Sequence, residues 1–249
     1  MKDAALFFLD ESTNDDLPTP ASALTGIVVP TASYPKVRAA FYQAIISEIR
    51  PQPQHVNLDP PPLHFSNFLR HRSDDEHFEI FEALASILLT NDLRIIRVGF
   101  YRTPATLSAF SSDSQLIGLC WLALTSLLDP ILSNTVLIPV LDAAFVASFQ
   151  PVVHAMSSRV HNADLFRASG LPAWPNPNFQ NLGEVFYCDD KYSALIQLVD
   201  QVAGLRRVLE TERLTGAPHR SPYKRRLAQI ASSLDSLIIH EELFDMAEG

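Results

Sequence analysis

Short apolar runs alternate with longer amphipathic stretches along most of the chain. Residues 5–9 form an apolar run that meets Asp10 and Glu11, and residues 23–29 form a second run rich in Ile and Val. A polar, proline-containing connection separates them, so the pattern predicts two neighbouring strands. Over residues 34–49, Val37, Ala40, Phe41, Ile45 and Ile49 recur at near-helical spacing, with Pro35 in the first turn, which predicts an amphipathic helix. Residues 50–62 hold five prolines and are expected to be irregular surface chain, followed by a short strand or turn over 63–68. A helix opened by acids is predicted over 74–89, a strand over 93–101, a long apolar helix over 114–128 and a strand over 135–141 that ends at Asp142. Beyond it the pattern predicts a helix over 149–166, a proline-punctuated loop over 171–177 and a strand over 183–187. Helices over 192–211 and 222–246 follow.

Strands alternating with helices after an initial strand pair imply an α/β fold, with one mixed sheet flanked by helices. No repeat or low-complexity linker divides the 249 residues, and this length suits one large domain. The expected organisation is a single domain over 1–249, with a C-terminal helical extension over about 212–249.

Composition narrows the function classes. Apolar residues at 47% and charged residues at 19% exclude a disordered tail or a coiled-coil rod. With 8 Gly against 18 Pro, the loops are expected to be stiff. A net charge of −9 argues against coating nucleic acid through the overall field, yet seven of the 19 Lys and Arg residues fall between Arg206 and Arg226. Cys120 and Cys188 lack CxxC spacing, so neither a disulfide framework nor a zinc knuckle is expected, and a reducing, cytoplasmic setting fits. The apolar run at the start meets acids before it reaches the length of an export signal. The longest apolar stretch, 116–128, is too short to span a bilayer.

The chain has no Gly-rich dinucleotide turn, Walker loop, Gly-x-Ser-x-Gly elbow or His-Glu-x-x-His helix. It does carry carboxylates at the ends of apolar strands: Asp10 and Glu11 after the first, Asp142 after a central one, and Asp189 and Asp190 after the last. Strand ends at one edge of an open sheet are where α/β proteins assemble sites, and acids gathered there repel one another unless a divalent cation neutralises them. Mg²⁺ or Mn²⁺ suits such oxygen ligands, and the implied chemistry is phosphoester hydrolysis. Asp200 joins the set from a predicted helix, where Ser193, Gln197, Asp200 and Gly204 flank the apolar face. Taken singly, each acid is equally at home as a turn or N-cap residue, as Asp189 or Asp190 would be before the following helix.

Two segments carry a family resemblance. The run Leu6-Phe7-Phe8-Leu9-Asp10-Glu11-Ser12, together with the acidic turn Asp189-Asp190 ahead of Gln197-Leu198-Val199-Asp200, resembles the domain-of-unknown-function 3800 family. That resemblance implies a ribonuclease H-like fold, with Asp10, Asp142 and Asp200 as catalytic metal ligands and Glu11, Asp189 and Asp190 beside them. It also implies Gln197 as the polar partner on the helix. The family often carries an acidic triplet before its second helix; the matching stretch here reads Pro62-Leu63-His64-Phe65 and lacks the acid. Either Glu11 or His64 takes that role, or the metal site is weakened and the protein binds rather than cuts.

Other residues carry less. His154 and His161 have no third ligand and read as structural, and Cys120 sits among apolar neighbours as a small buried hydrophobe. Trp174, in a proline-rich loop, is either a stacking aromatic or a packed one. The basic run opening with Arg206 and Arg207 is expected to guide a phosphate backbone, or to be a solvated face paired with Glu210 and Glu212. The apolar positions of the last predicted helix cover either the sheet or a second subunit, so a homodimer is one expectation. Two readings follow: a Mg²⁺- or Mn²⁺-dependent nuclease, or a non-catalytic binding or assembly module of a larger complex.

Overall fold

A computed structural model of the chain describes residues 3–48, 72–109, 113–131, 134–142, 185–188 and 193–245. Its strands are β1 (Asp3–Asn14), β2 (Ala21–Pro30), β3 (Arg94–Tyr101), β4 (Thr135–Asp142), β5 (Phe186–Cys188) and β6 (Ile238–Phe244). Its helices are α1 (Tyr34–Glu48), α2 (Asp74–Thr90), α3 (Pro104–Ala109), α4 (Asp113–Ile131), α5 (Ala194–Thr215) and α6 (Pro222–Ser233).

The strands form one mixed sheet in the order β5-β4-β1-β2-β3-β6. β1, β2 and β3 make an antiparallel meander, while β4 pairs parallel to β1 and β5 parallel to β4. β6 pairs parallel to β3 at the opposite edge. This is the α/β architecture, a mixed sheet flanked by helices, expected of a ribonuclease H-like chain.

Side chains alternate across the sheet, and each face finds its own helices. On one face Phe8, Ile27, Val29 and Ile95 pack with α1, α2, α5 and α6. On the other, Phe7, Leu9, Leu24, Ile96, Val98 and Phe100 pack with α4, whose Cys120 and Trp121 are buried. β2 is buried along its whole length except Pro30, as a central strand covered on both faces should be. Gly26 on β2 leaves room for the Phe7 ring, since a Cβ there would lie 2.2 Å from it.

Local chemistry fixes the helix ends. Ser73 and Glu76 form a capping box at the start of α2, and the Ser193 hydroxyl accepts from the Ile196 N–H at the start of α5. Gly216, at φ 65°, ends α5 in the left-handed conformation that favours glycine.

The C-terminal region differs from the expected helix over 222–246. The helix α6 stops at Ser233, a short 3₁₀ turn spans Asp235–Leu237, and the chain then runs as β6, so the region after 212 is not a purely helical extension. Leu227, Ile230, Ala231, Leu234 and Leu237 are all buried, so helical spacing persists across the break. The open edge of β3 decides the outcome by offering backbone partners to Ile238–Phe244, which helical periodicity does not register. The expectations over 50–62, 63–68, 149–166 and 171–177 lie outside the described residues, as do His64, His154, His161 and Trp174.

Candidate functional site

The parallel pairing of β1 with β4 brings two acids together. Leu9 is in register with Leu141, so Asp10 and Asp142 are the next positions on adjacent strands; Asp142 ends β4, whereas β1 continues to Asn14 by pairing with β2, so Asp10 and Glu11 lie inside the strand and not after it as expected. Asp142 is in turn paired with Cys188 on β5. Asp189 and Asp190, which follow Cys188 in the sequence, lie outside the described residues.

Asp10 shares the sheet face of Phe8, where α5 packs, and α5 delivers Asp200. The Asp10 carboxyl is held well above the usual range, first by loss of hydration, then by the charges of Glu11 and Asp200 and by a hydrogen bond with Asp200. Glu11 is raised too, again first by loss of hydration, against the lowering effect of its own backbone N–H; Asp142 and Asp200 add repulsion. The Gln201 side-chain amide donates to Asp200 at 2.8 Å, and Asp200 is exposed. Asp10, Glu11, Asp142 and Asp200 thus act on one another as a group assembled from β1, β4 and α5.

Their donor chemistry fits a hard cation. The group is all oxygen and all carboxylate, and a divalent ion held there would offset its mutual repulsion. Among the described residues, however, no group of three His, Cys, Asp or Glu side chains is arranged to hold a metal ion as it stands.

The same β1–α5 seam continues into a second polar region that the sequence pattern did not reveal. Arg97, the one charged side chain inside the apolar run of β3, is 1% exposed and pairs with Glu210 of α5 through Nε at 3.3 Å and Nη2 at 3.1 Å. Its Nη1 donates to the hydroxyls of Ser12 at 3.0 Å and Thr25 at 3.1 Å. The Asn14 amide donates to Glu210 at 2.8 Å and to Thr211 at 3.1 Å. A lone Arg within an apolar strand is the sequence signal that predicts such a partner, because charged residues are rarely buried unless paired.

Arg206 belongs to this interior and is not a substrate contact. It is 1% exposed, donating through Nε to Glu241 at 2.9 Å, through Nη1 to Asp235 at 2.8 Å and to the Ala231 carbonyl at 3.1 Å, and through Nη2 to Glu241. These acceptors commit its guanidinium, which leaves no face for a phosphate. Gln197 is likewise buried and is not presented to solvent as a substrate contact would be. Arg207 is exposed, and its Nη1 donates to the Thr13 carbonyl at 3.2 Å.

Cys120 is fully buried, and burial pushes its thiol up to about 12, which removes it as a nucleophile. Among the described residues, no helix is long and apolar enough to cross a membrane. Compared with protein-family models and with curated proteins, the chain matches none.

Proposed function

We propose that this protein is a divalent-metal-dependent nuclease that hydrolyses phosphodiester bonds of nucleic acid at the Asp10, Glu11, Asp142 and Asp200 group. The observation that carries the reading is the convergence of acids from three elements: Asp10 of β1 and Asp142 of β4 follow the paired residues Leu9 and Leu141, and Asp200 of α5 acts on Asp10 and Glu11 through its charge. Such an arrangement costs stability and is kept where a site uses it. The resemblance to the domain-of-unknown-function 3800 family supports the same assignment.

Asp10, Asp142 and Asp200 would hold Mg²⁺ or Mn²⁺, with Glu11 and the acids Asp189 and Asp190 as further oxygen donors. When bound, the ion supplies charge neutralisation and lowers the proton affinity of a water. Asp10 and Asp200 would serve that ion as oxygen donors from β1 and α5. The turn of α5 that begins at the Ser193 cap sets the height of Asp200 against β1. We place the protein in the cytoplasm, in keeping with a chain of two cysteines that have no CxxC spacing.

A second reading has its own observation. No three described side chains form a ready metal cage, and on that observation the alternative is a binding or assembly module whose acids are structural. The thermal midpoint in EDTA, Mg²⁺ and Mn²⁺ separates the two, since an ion that binds only the folded state stabilises it. The nuclease reading expects metal to raise the midpoint of the parent but not of Asp10→Asn or Asp200→Asn. Both variants should fold and lose cleavage of labelled RNA, DNA or hybrid substrates. A parent that ignores millimolar metal and cuts none of the three substrates overturns the nuclease reading in favour of the module.

A further inference from the structure

We propose that the exposed stripe of α5 running from Asp200 through Gly204 to Arg207, continued by Lys224 and Arg225 of α6 and by Arg220, is a track for the phosphate backbone of a nucleic acid strand. The proposal rests on the nuclease reading for its direction, because the track starts at the carboxylate group, but not for its chemistry. Residues seven apart on a helix return to the same side after a rise of about 10.5 Å. Asp200, Gly204 and Arg207 therefore form one line on α5. One strand of a duplex carries a phosphate every ~3.4 Å of axis, so Arg207 stands about three nucleotides from Asp200.

The surroundings suit a polyanion. The sequence from Gly216 to Arg226 contains Arg220, Lys224, Arg225 and Arg226 and no Asp or Glu, in a chain whose net charge is −9. Its loop is tied back to α5, where the His219 ring meets the Val208 carbonyl at 2.8 Å. That tie sets the basic segment beside Arg207: Lys224, Arg207 and His219 all act on the charge of Asp16. Lys224 pairs with Asp16 at 2.7 Å, but the two side chains are 42% and 60% exposed. Exposed pairs contribute roughly 0–1 kcal/mol, so a phosphate can replace Asp16 as the partner of Lys224 at little cost.

Gly204 marks the middle of the track. Among the described residues, no atom outside the helix's own backbone and its chain neighbours lies within 4 Å of a Cβ built on it, so a side chain there meets none of them. Substitution at this position changes the charge of the path without disturbing packing, and any other residue in mid-helix except Pro favours the helix over Gly.

The test uses the full chain in EDTA, where cleavage is silent, and a fluorescein-labelled single strand of about 15 nucleotides, as RNA and as DNA of the same sequence, followed by anisotropy. The parent should bind with strong salt dependence. Arg207→Ala and Arg225→Ala should each weaken binding about 3- to 10-fold whatever the sequence and reduce the slope of log K against log salt by about 1. Gly204→Glu should weaken binding to a similar degree, while Gly204→Ala binds as the parent does. If the parent shows no salt-dependent binding, or Gly204→Glu binds like Gly204→Ala, the track is wrong. The metal-induced midpoint shift keeps the two proposals apart. A shift that survives in Gly204→Glu while binding is unchanged defeats the track alone. Salt-dependent binding that Gly204→Glu weakens, in a protein that ignores metal, supports the track and defeats the metal site.

Discussion

At Arg97 a buried carboxylate meets a guanidinium; at Asp10 a carboxyl meets other carboxyls. Both places lie on the seam between β1 and α5, within a few residues of one another along each element. In the first, Glu210 accepts from Arg97 and Asn14, and the hydroxyls of Ser12 and Thr25 complete the guanidinium's partners. In the second, Glu11 and Asp200 raise the proton affinity of Asp10 rather than lowering it. A fold that balances one set of buried charges so fully has the means to balance the other. In the second arrangement acid acts on acid, and the proposed metal site rests on it.

The comparison breaks most sharply at its balanced end. Arg97→Met leaves Glu210 buried at 7% side-chain exposure without its ion partner. Removing one member of a buried pair typically costs about 3–5 kcal/mol, which urea denaturation will read directly. Arg97→Met combined with Glu210→Leu should recover much of that loss, because the orphaned charge is gone.

At the unbalanced end the sign reverses. A carboxyl whose proton affinity is higher in the folded than in the unfolded chain makes the folded state bind more protons. Stability therefore falls as pH rises from the ordinary Asp range through the raised value in the fold. In EDTA at neutral pH, Asp10→Asn should raise stability by about 1 kcal/mol, or roughly 2–4 °C in Tm for a chain of this size, and flatten that fall in a pH series of melts. A variant that melts below the parent throughout would mean that the carboxylate group is structural.

The smallest effect belongs to the rim of the balanced region. Arg213 pairs with Asp235 at 2.6 Å, with side-chain exposures of 48% and 41%. Arg213→Ala should shift the urea midpoint by no more than the equivalent of ~0.5 kcal/mol. A larger loss would show that the network depends on its exposed edge as well as its interior.

Much of this was legible in the sequence, though unevenly. Apolar runs ending in acids announced β1 and β4, and the spacing around Leu195, Val199 and Val202 announced α5, because burial of one face is written locally as periodicity. Pairing is not. Arg206 looked like part of a basic surface since its acceptors, Asp235 and Glu241, come about thirty residues later and become neighbours only through β6. The pattern places Ile238–Phe244 in a helix because its apolar positions, paired at 238–239 and 243–244, show no strand alternation, and the vacant edge of β3 overrides that pattern. Asp10 and Asp200 were legible as chemistry, but the charge each feels from the other exists only in the folded chain.

The parallel docking of β6 on β3 has a consequence for the order of assembly. β3 is complete once residue 101 has been synthesised, yet its outer edge has no strand partner until Ile238–Phe244 follows. Throughout that interval the nascent sheet presents open backbone groups, and the guanidinium of Arg206 lacks the carboxylate of Glu241. Folding on the ribosome can gather the meander and its helices early, but the edge of β3 gains its strand, and Arg206 its Glu241 partner, only once Ile238–Phe244 has emerged.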